Sequence, residues 1–244
     1  MFFNAHVYYT TRVDRNPNEL KVVGSILPDM AATGLVTWDN LHKKKDLLEL
    51  FSYTHKTSLE LTPLLDGLSY HNSLDYTSHT EYKNSKPGYS YASITPQLLE
   101  LMKKTINVPD ARVRTSCHNL IEAGVDYHLL NDNNDMATLI RTSIEQVDKH
   151  KLAGLLSGYY QKTEEKALWA LNDFFTFATN YNLKDIDGWV KLLTDMNKYY
   201  LKIETNELYA KKTLETAFEI TKDTWKEYLE FSISHPLKEI TDCN

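Results

Sequence analysis

At 244 residues, with 42% hydrophobic and 25% charged side chains, the chain has the size and composition of an ordinary globular protein with one large core. A formal net charge of −6 argues against non-specific nucleic-acid binding, which needs clustered lysine and arginine, and two cysteines are too few for a disulfide framework or a CxxC zinc site. Because no apolar run reaches about 20 residues and the N-terminus lacks a secretory signal pattern, we predict a cytoplasmic protein without a transmembrane segment.

The first 60 residues predict short helices separated by polar breaks. The aromatic and β-branched residues at 2–10 fit a strand and a short buried helix equally well, and residues 16–18 form a break. Proline is tolerated in a first helical turn but not in a helix interior, so Pro28 places Asp29 near a bend or a helix start. The spacing of apolar residues then predicts one helix from Asp39, its N-cap, to His55.

The rest of the chain also predicts helices. Thr62 and Pro63 open one helix, residues 82–91 form a polar loop, and a second helix runs from Thr95 to just before Val108. Asp110 can cap a long helix that ends between residues 131 and 135. Over the remaining 110 or so residues the pattern indicates about four amphipathic helices, with breaks near Gly158, residues 180–182, Gly188 and Asn206. Since no convincing period-2 segment follows residue 20, we predict an all-α protein.

Two of the predicted helices each carry three side chains of metal-ligand type at four-residue spacing. They are His71, Asp75 and His79 on the first helix, and His118, Glu122 and Asp126 on the second. Four residues turn an α-helix by about 400°, so each trio covers an arc of about 80°. Both trios overlap the apolar side of their helix, where ionisable groups are costly unless they pair or bind a cation. The two trios therefore predict a buried metal centre.

Three upstream residues, His6, Asp29 and His42, are candidates for the same centre. A set of imidazoles and carboxylates without a thiolate suits zinc first, with manganese or iron as alternatives, in a site of two or three ions that activates water. Asp29 is the candidate general base. Each residue also has a structural interpretation: a hydrogen-bonded core histidine for His6, a solvated side chain for His42, a helix cap for Asp29. Asp126 either orients a ligand or lies at the surface.

Other chemistries have little support in the sequence. The chain has no GxSxG, GxxxxGK[ST], GxGxxG or HExxH motif. Cys117 precedes His118 directly, and adjacent residues point apart on a helix, so a Cys–His nucleophile is not expected. His55, His150 and His235 are interpreted as structural or solvent-facing.

The order of these residues resembles that of the zinc-dependent phospholipase C / P1 nuclease family, whose members are all-helical and hold three zinc ions for phosphodiester hydrolysis. The resemblance rests on His6, Asp29, His42, the His71-x3-Asp75-x3-His79 segment and His118-x3-Glu122. It implies that Asp29, His42, His71 and Asp75 hold one ion, with Asp75 bridging. It further implies that His79, His118 and Glu122 hold a second ion, and that His6 and Asp75 face a third.

The N-terminal region also resembles acyl carrier protein phosphodiesterases, which are helical metal-dependent hydrolases. The similar pieces are Ala5-His6, the segment 24–29 and the segment 41–46. Both resemblances imply a helical architecture and the use of His6, Asp29 and His42, and together they cover roughly residues 1–130.

From these observations we predict a single all-helical domain over residues 1–244, in which 1–145 form the metal-binding half and 146–244 complete the bundle. The predicted function is metal-dependent hydrolysis of a phosphoester, with a phosphodiester favoured, through metal-activated water. The predicted partners are a small phosphorylated substrate, a phospholipid head group or a carrier protein, and substrate-binding residues are not assigned. The alternative is a non-catalytic helical binding or assembly protein with buried networks of histidine and acidic residues.

Overall fold

The computed structural model describes residues 3–132 and 135–237. Its N-terminal part contains eight α-helices: α1 (Phe3–Val13), α2 (Glu19–Ile26), α3 (Trp38–His42), α4 (Lys44–Thr57), α5 (Thr62–Asp75), α6 (Tyr89–Ala92), α7 (Pro96–Thr105) and α8 (Asp110–Asp132). Two 3-10 turns, Leu27–Thr33 and Leu59–Leu61, follow α2 and α4, and a π-helical turn, Tyr76–Thr80, extends α5.

Six further helices follow in the C-terminal part. They are α9 (Met136–Gln146), α10 (Lys149–Tyr160), α11 (Glu164–Thr179), α12 (Ile186–Met196), α13 (Glu207–Thr221) and α14 (Trp225–Ser234), with a π-helical turn, Asn197–Leu201, after α12. No β-strand occurs within 3–132 or 135–237, which confirms the all-α prediction. Over the same ranges, no helix combines the length and the apolar character that crossing a bilayer requires.

Helices α2 and α5 approach each other backbone to backbone because glycine lies on both sides of the contact. A Cβ atom at Gly67 would lie 2.2 Å from the Lys21 carbonyl oxygen, and one at Gly24 would lie 2.2 Å from the Leu64 carbonyl oxygen. Larger side chains would therefore separate the two helices. This close approach brings the C-terminal end of α2 beside the histidine-bearing half of α5.

Helix α8 is the longest element and crosses the core. Its apolar residues join a single buried cluster that includes side chains from both halves of the chain. Gly124 allows α8 to pack closely on α13, where an added Cβ would lie 2.4 Å from the Thr221 hydroxyl oxygen. The polar residues His118, Glu122 and Asp126 are buried on this helix together with its apolar residues.

Several predicted boundaries are confirmed in the N-terminal half, and one predicted helix is wrong. Residues 3–13 form the helical alternative rather than the strand, and α5 begins at Thr62 as expected. The single helix predicted from Asp39 to His55 is interrupted at Lys43, whose backbone is extended (φ −85°, ψ 133°). Thr37 rather than Asp39 caps the first piece. The break matters because it leaves His42 at the end of a short helix, from which its ring turns inward.

Six helices occur in the C-terminal part instead of the four expected, because the chain also breaks at 147–148 and 222–224, where no break was predicted. Gly158 lies inside α10 and allows close approach of the Tyr53 hydroxyl, which a Cβ would meet at 2.4 Å. Gly188 lies inside α12, where a Cβ would meet the Asn182 carbonyl oxygen at 2.0 Å. Both glycines serve tight packing and do not end a helix. The loop predicted over 82–91 is also shorter, since α6 begins at Tyr89.

Candidate metal centre

Eight of the predicted site residues meet in the interior of the N-terminal half. Their ligand atoms form three groups, each with all atoms within 4.8 Å of one another: His6, Asp29 and His71; His42, His71 and Asp75; His79, His118 and Glu122. These residues come from α1, the 3-10 turn after α2, α3, α5, the π-helical turn and α8. Five of these six elements lie within the first 80 residues, and α8 supplies the rest.

Asp75 belongs to the second group and also contacts His6 and His71 of the first, so that imidazoles lie around both of its carboxylate oxygens. Oδ1 lies 3.4 Å from His6 Nε2. Oδ2 lies 3.3 Å from His71 Nε2 and 3.5 Å from His42 Nε2. It also lies 3.8 Å from Nδ1 of His79. A carboxylate surrounded in this way has the contacts expected of a bridging ligand.

Backbone carbonyls fix the orientation of two of these rings. Nδ1 of His71 lies 2.8 Å from the carbonyl oxygen of Ser25, at the close approach of α2 and α5. Nδ1 of His42 lies 2.8 Å from the carbonyl oxygen of Trp38, whose indole stacks on the same ring at a centroid distance of 4.1 Å. A carbonyl only accepts, so Nδ1 donates in both rings. When these rings are neutral, the Nε2 lone pairs face Asp75, the orientation that metal-binding histidines require.

The distances around Asp75 suit coordination better than hydrogen bonding. Lone pairs on Nε2 repel a carboxylate oxygen unless a proton or a metal cation lies between them. In tetrahedral zinc sites, bonds of about 2.0–2.2 Å separate neighbouring ligand atoms by about 3.3–3.6 Å. The contacts of Asp75 with His6, His42 and His71, from 3.3 to 3.5 Å, fall in this range.

The third group lies where the π-helical turn meets α8. Nε2 of His79 lies 2.7 Å from Oε1 of Glu122, and the Ser78 hydroxyl donates to the same oxygen at 2.8 Å. The ring of His118 stands nearly perpendicular to that of His79, with centroids 5.0 Å apart. Tyr91 of α6 stacks on His118 at 4.6 Å. Since His79 faces Asp75 through Nδ1 and Glu122 through Nε2, it connects the third group to the other two.

The side chains of the first trio meet at Asp75, but one regular α-helix does not carry all three. His71 and Asp75 lie on one face of α5, but the helix widens to a π-helical turn after Asp75. The i→i+5 hydrogen bonding of such a turn rotates the following side chains relative to an α-helix. His79, within this turn, lies 3.8 Å from Asp75 through Nδ1 and 2.7 Å from Glu122 of α8 through Nε2.

Buried charges shift the pKa values of the central residues in opposite directions. Burial opposes ionisation of Asp75, but His71 and His79 outweigh it and hold the pKa of this carboxyl well below its usual range. Burial likewise lowers the pKa of His71 and His79, but Asp75 beside both, with Glu122 beside His79, outweighs it. The pKa of His71 is raised, and that of His79 is raised to about 9. In the absence of a metal ion, the positive charge of the protonated His71 and His79 rings balances the negative charge of the Asp75 and Glu122 carboxylates.

The other three histidines are held in the neutral form that binds metal. Burial lowers the pKa of His6 to about 4, that of His42 to about 3 and that of His118 to about 4. His71 also lowers the pKa of His6 and His42. A neutral imidazole offers a lone pair without prior loss of a proton.

Three buried polar atoms of the centre have no hydrogen-bond partner within the described chain. They are Oδ2 of Asp29, Nε2 of His71 and Nδ1 of His118. Asp29 lies in the first turn after Pro28 and is half-buried as a residue, and burial raises its pKa. A buried carboxylate oxygen without a donor is costly, and a cation or a proton removes that cost. The oxygen and nitrogen donors present here, without a thiolate, fit a divalent metal.

Asp126 has a different role from either one expected for it. It is fully buried, so a surface position is wrong, and it contacts the start of α1 rather than a histidine ring. Oδ1 accepts from the backbone N–H of Ala5 at 2.7 Å, and Oδ2 accepts from the backbone and the side-chain amide of Asn4 at 3.0 and 2.8 Å. Asp126 thus caps α1 from α8 and fixes the turn that carries His6.

Several contacts of the centre were not predicted from the sequence. Ser78 donates to Glu122, Tyr91 stacks on His118, and Trp38 stacks on His42. The Trp38–His42 spacing of four residues carried a signal for this contact, since such side chains are neighbours on a helix. The contact of Tyr91 depends on the path of the 81–88 loop and has no comparable signal.

The residues set aside in the sequence have structural roles or lie at the surface. Burial raises the pKa of Cys117 to about 12, which argues against a thiolate nucleophile. Cys243 lies outside the described residues. His55, His150 and His235 are exposed, and His128 bonds the Phe218 carbonyl oxygen through Nε2 at 2.7 Å.

Comparison of the chain with protein-family models, with curated proteins and with solved structures finds no match. Buried groups of histidine, aspartate and glutamate that could hold metal ions are therefore the observation on which any function must rest.

Proposed function

We propose that this protein is a metal-dependent hydrolase of phosphoesters, with phosphodiesters the favoured class. One observation carries the proposal. The rings of His42 and His71, oriented by backbone carbonyls, direct Nε2 at the same oxygen of Asp75 in the protein interior. In a purely structural network the lone pair of neutral His42 beside this carboxylate oxygen costs free energy, and a bound divalent cation would make the arrangement favourable.

Three overlapping donor groups would suit two or three ions. His42, His71 and Asp75 would hold one ion, and His79, His118 and Glu122 a second. His6 and Asp29 would complete the set, with Asp75 shared because both of its oxygens face imidazoles. Bound ions would lower the pKa of a water molecule and stabilise charge on phosphoryl oxygens.

The chain's own residues supply the remaining chemistry. Asp29 has a covered carboxylate oxygen with no donor and a raised pKa, which suits a group that takes a proton from water. Asp126 holds the start of α1 in place, and Ser78 fixes the carboxylate of Glu122. The resemblance of the ligand order to the zinc-dependent phospholipase C / P1 nuclease family supports the phosphodiester class. The resemblance to acyl carrier protein phosphodiesterases keeps a carrier protein among the candidate substrates.

The second candidate is a non-catalytic binding or assembly protein with buried histidine–acid networks. It is favoured by the 2.7 Å hydrogen bond between His79 and Glu122, which forms without an ion, and by the low exposure of the donors. His6, His42 and His71 are 1% exposed, and His118 is 8% exposed. A catalytic centre must admit substrate, whereas a structural network need not.

Metal analysis distinguishes the two candidates. Protein purified without a histidine tag should carry one or more equivalents of zinc, manganese or iron, and Asp75→Asn should lose metal because both donor groups around it are weakened. His150→Ala is the matched control, since His150 is exposed and lies outside the centre. Wild-type protein that neither contains nor takes up metal, and whose unfolding is insensitive to chelator, would favour the network.

An activity screen then tests the reaction class. Chromogenic phosphodiesters and phosphomonoesters would be offered to the protein with each metal added in turn. We expect turnover of a diester that chelator abolishes and that Asp29→Asn reduces by about a hundredfold or more, the lower end of what a general base contributes. A metal-loaded protein that hydrolyses none of these esters would contradict the proposal while leaving the metal centre in place.

A further inference from the structure

A cleft of about 690 Å³ lies on the protein at the C-terminal helices, away from the donor set of the metal centre. Helix α11 forms one wall, the end of α12 with its π-helical turn forms the other, and the end of the 3-10 turn closes it. Five aromatic side chains, Trp169, Phe177, Tyr181, Tyr199 and Tyr200, are part of its lining. Trp169 and Tyr199, at 60% and 56% exposure, are among the most exposed large hydrophobic residues of the described chain.

Three rings follow one another along this cleft. The ring centroids of Tyr200 and Phe177 are 5.2 Å apart, and those of Phe177 and Tyr181 are 5.3 Å apart. At one end of the row the Tyr200 hydroxyl donates to Oδ2 of Asp173 at 2.8 Å. At the other end the Tyr181 hydroxyl donates to Oδ2 of Asp195 at 3.0 Å. The cleft therefore has one carboxylate on each wall, Asp173 on α11 and Asp195 on α12, with aromatic surface beside them.

Neither carboxylate is neutralised within the described chain. No ion pair joins Asp173 or Asp195 to a lysine or arginine in residues 3–132 or 135–237. Lys202 lines the same cleft, but it is exposed and its ammonium donates to the Tyr199 carbonyl oxygen at 2.7 Å. The tyrosine hydroxyls each use one carboxylate oxygen, which leaves the other for a second donor.

We propose that this cleft binds an aliphatic diammonium cation, one ammonium at Asp173 and one at Asp195. Two separated negative charges select a ligand with two separated positive charges. Aromatic faces attract ammonium groups and also cover the methylenes between them. Lys198, whose ammonium lies 5.3 Å from the centroid of the Tyr199 ring, is an internal example of the same contact. The proposal is independent of the proposed hydrolase function, since no candidate metal ligand lines the cleft.

Calorimetry at pH 7 and low salt tests the proposal with three ligands of equal carbon number: 1,4-diaminobutane, butylamine and 1,4-butanediol. The diamine should bind, butylamine should bind at least about fivefold more weakly, and the diol should give no heat. Fivefold is the factor expected for one partly exposed ion pair. This comparison uses the wild-type protein and so does not depend on any variant folding.

Two isosteric variants locate the site. Asp173→Asn and Asp195→Asn keep an acceptor for their tyrosines, and each should weaken diamine binding by about fivefold or more without changing metal content. Asp223→Asn changes the net charge equally at an exposed turn and should leave the affinity unchanged. The proposal is overturned if the diamine gives no heat, if diamine and monoamine bind alike, or if Asp223→Asn weakens binding as much as the cleft variants.

Discussion

The contact of Asp126 with the start of α1 predicts an unusually large effect for a residue outside the ligand set. Truncation in Asp126→Ala removes the acceptor of two buried backbone N–H groups, those of Asn4 and Ala5, and of the Asn4 side-chain amide. A buried donor left without a partner costs about 1–3 kcal/mol. We therefore expect the free energy of unfolding to fall by about 3 kcal/mol or more.

Asp148 provides a matched control because it accepts the same kind of hydrogen bond in a different environment. Its carboxylate accepts from the backbone N–H groups of His150 and Lys151 at 3.1 and 3.0 Å, at the start of α10. The residue is exposed, so water can replace the lost acceptor. Asp148→Ala should cost about 1 kcal/mol, the usual loss for a helix N-cap.

Urea unfolding of both variants and of the wild type at pH 7.5, after treatment with chelator, gives the comparison. Elemental analysis of the untreated proteins should also show lower metal content in Asp126→Ala, because His6 lies directly after the capped turn, and unchanged content in Asp148→Ala. Equal losses of about 1 kcal/mol in the two variants would refute the view that Asp126 anchors α1.

Three further predictions concern the centre and its supports. His118→Ala should release one metal ion and lower the midpoint of thermal unfolding, and Glu122→Gln should have the same effects more mildly. Elemental analysis and thermal unfolding measure both effects. Unchanged metal content in both variants would exclude the third donor group as a metal site. Gly67→Ala should destabilise the protein by about 3 kcal/mol in the same urea experiment, because its Cβ would meet the Lys21 carbonyl oxygen at 2.2 Å. Gly154→Ala is the control: a Cβ there would have no atom within 4 Å, so this variant should be more stable by up to about 1 kcal/mol. Chelator-treated protein should lose about 1–2 kcal/mol of unfolding free energy between pH 7.5 and 9, because the pKa of His79 is raised to about 9 and its stabilisation is lost as the pH rises toward that value. Above pH 7.5, His6, His42 and His118, whose pKa values are lowered, are neutral in both the folded and the unfolded state and add little slope. A stability that rises over this window would contradict the charge balance inferred for the metal-free centre.

The sequence was sufficient to predict the helical architecture and to select the residues that meet in the interior. Four-residue spacing placed His71 with Asp75, and His118 with Glu122, because spacing on one helix is local information. His6, Asp29 and His42 lie on other elements, and only their residue types and their order in the sequence indicated that they belong to the same site. Their meeting depends on long-range packing, above all on the glycines that bring α2 against α5.

The helix boundaries that were predicted wrongly also depend on tertiary contacts. Lysine is not a helix-breaking residue, yet the backbone of Lys43 is extended, and this allows the ring of His42 to enter the core. Glycine usually weakens a helix, yet Gly158 and Gly188 lie inside α10 and α12, where neighbouring atoms leave no room for a Cβ atom. Propensity is a weak guide where packing supplies a larger free energy.

The π-helical turn at Tyr76–Thr80 is the feature that most affects how the centre can work. In a regular α-helix, His79 would continue the face of His71 and Asp75. The wider turn instead leaves its ring between Asp75 and Glu122, so that one imidazole contacts both carboxylates. Of the eight donors, His79 and His118 also lie on the side nearest to half-buried Tyr91. A substrate that approaches from this side would meet the third donor group first.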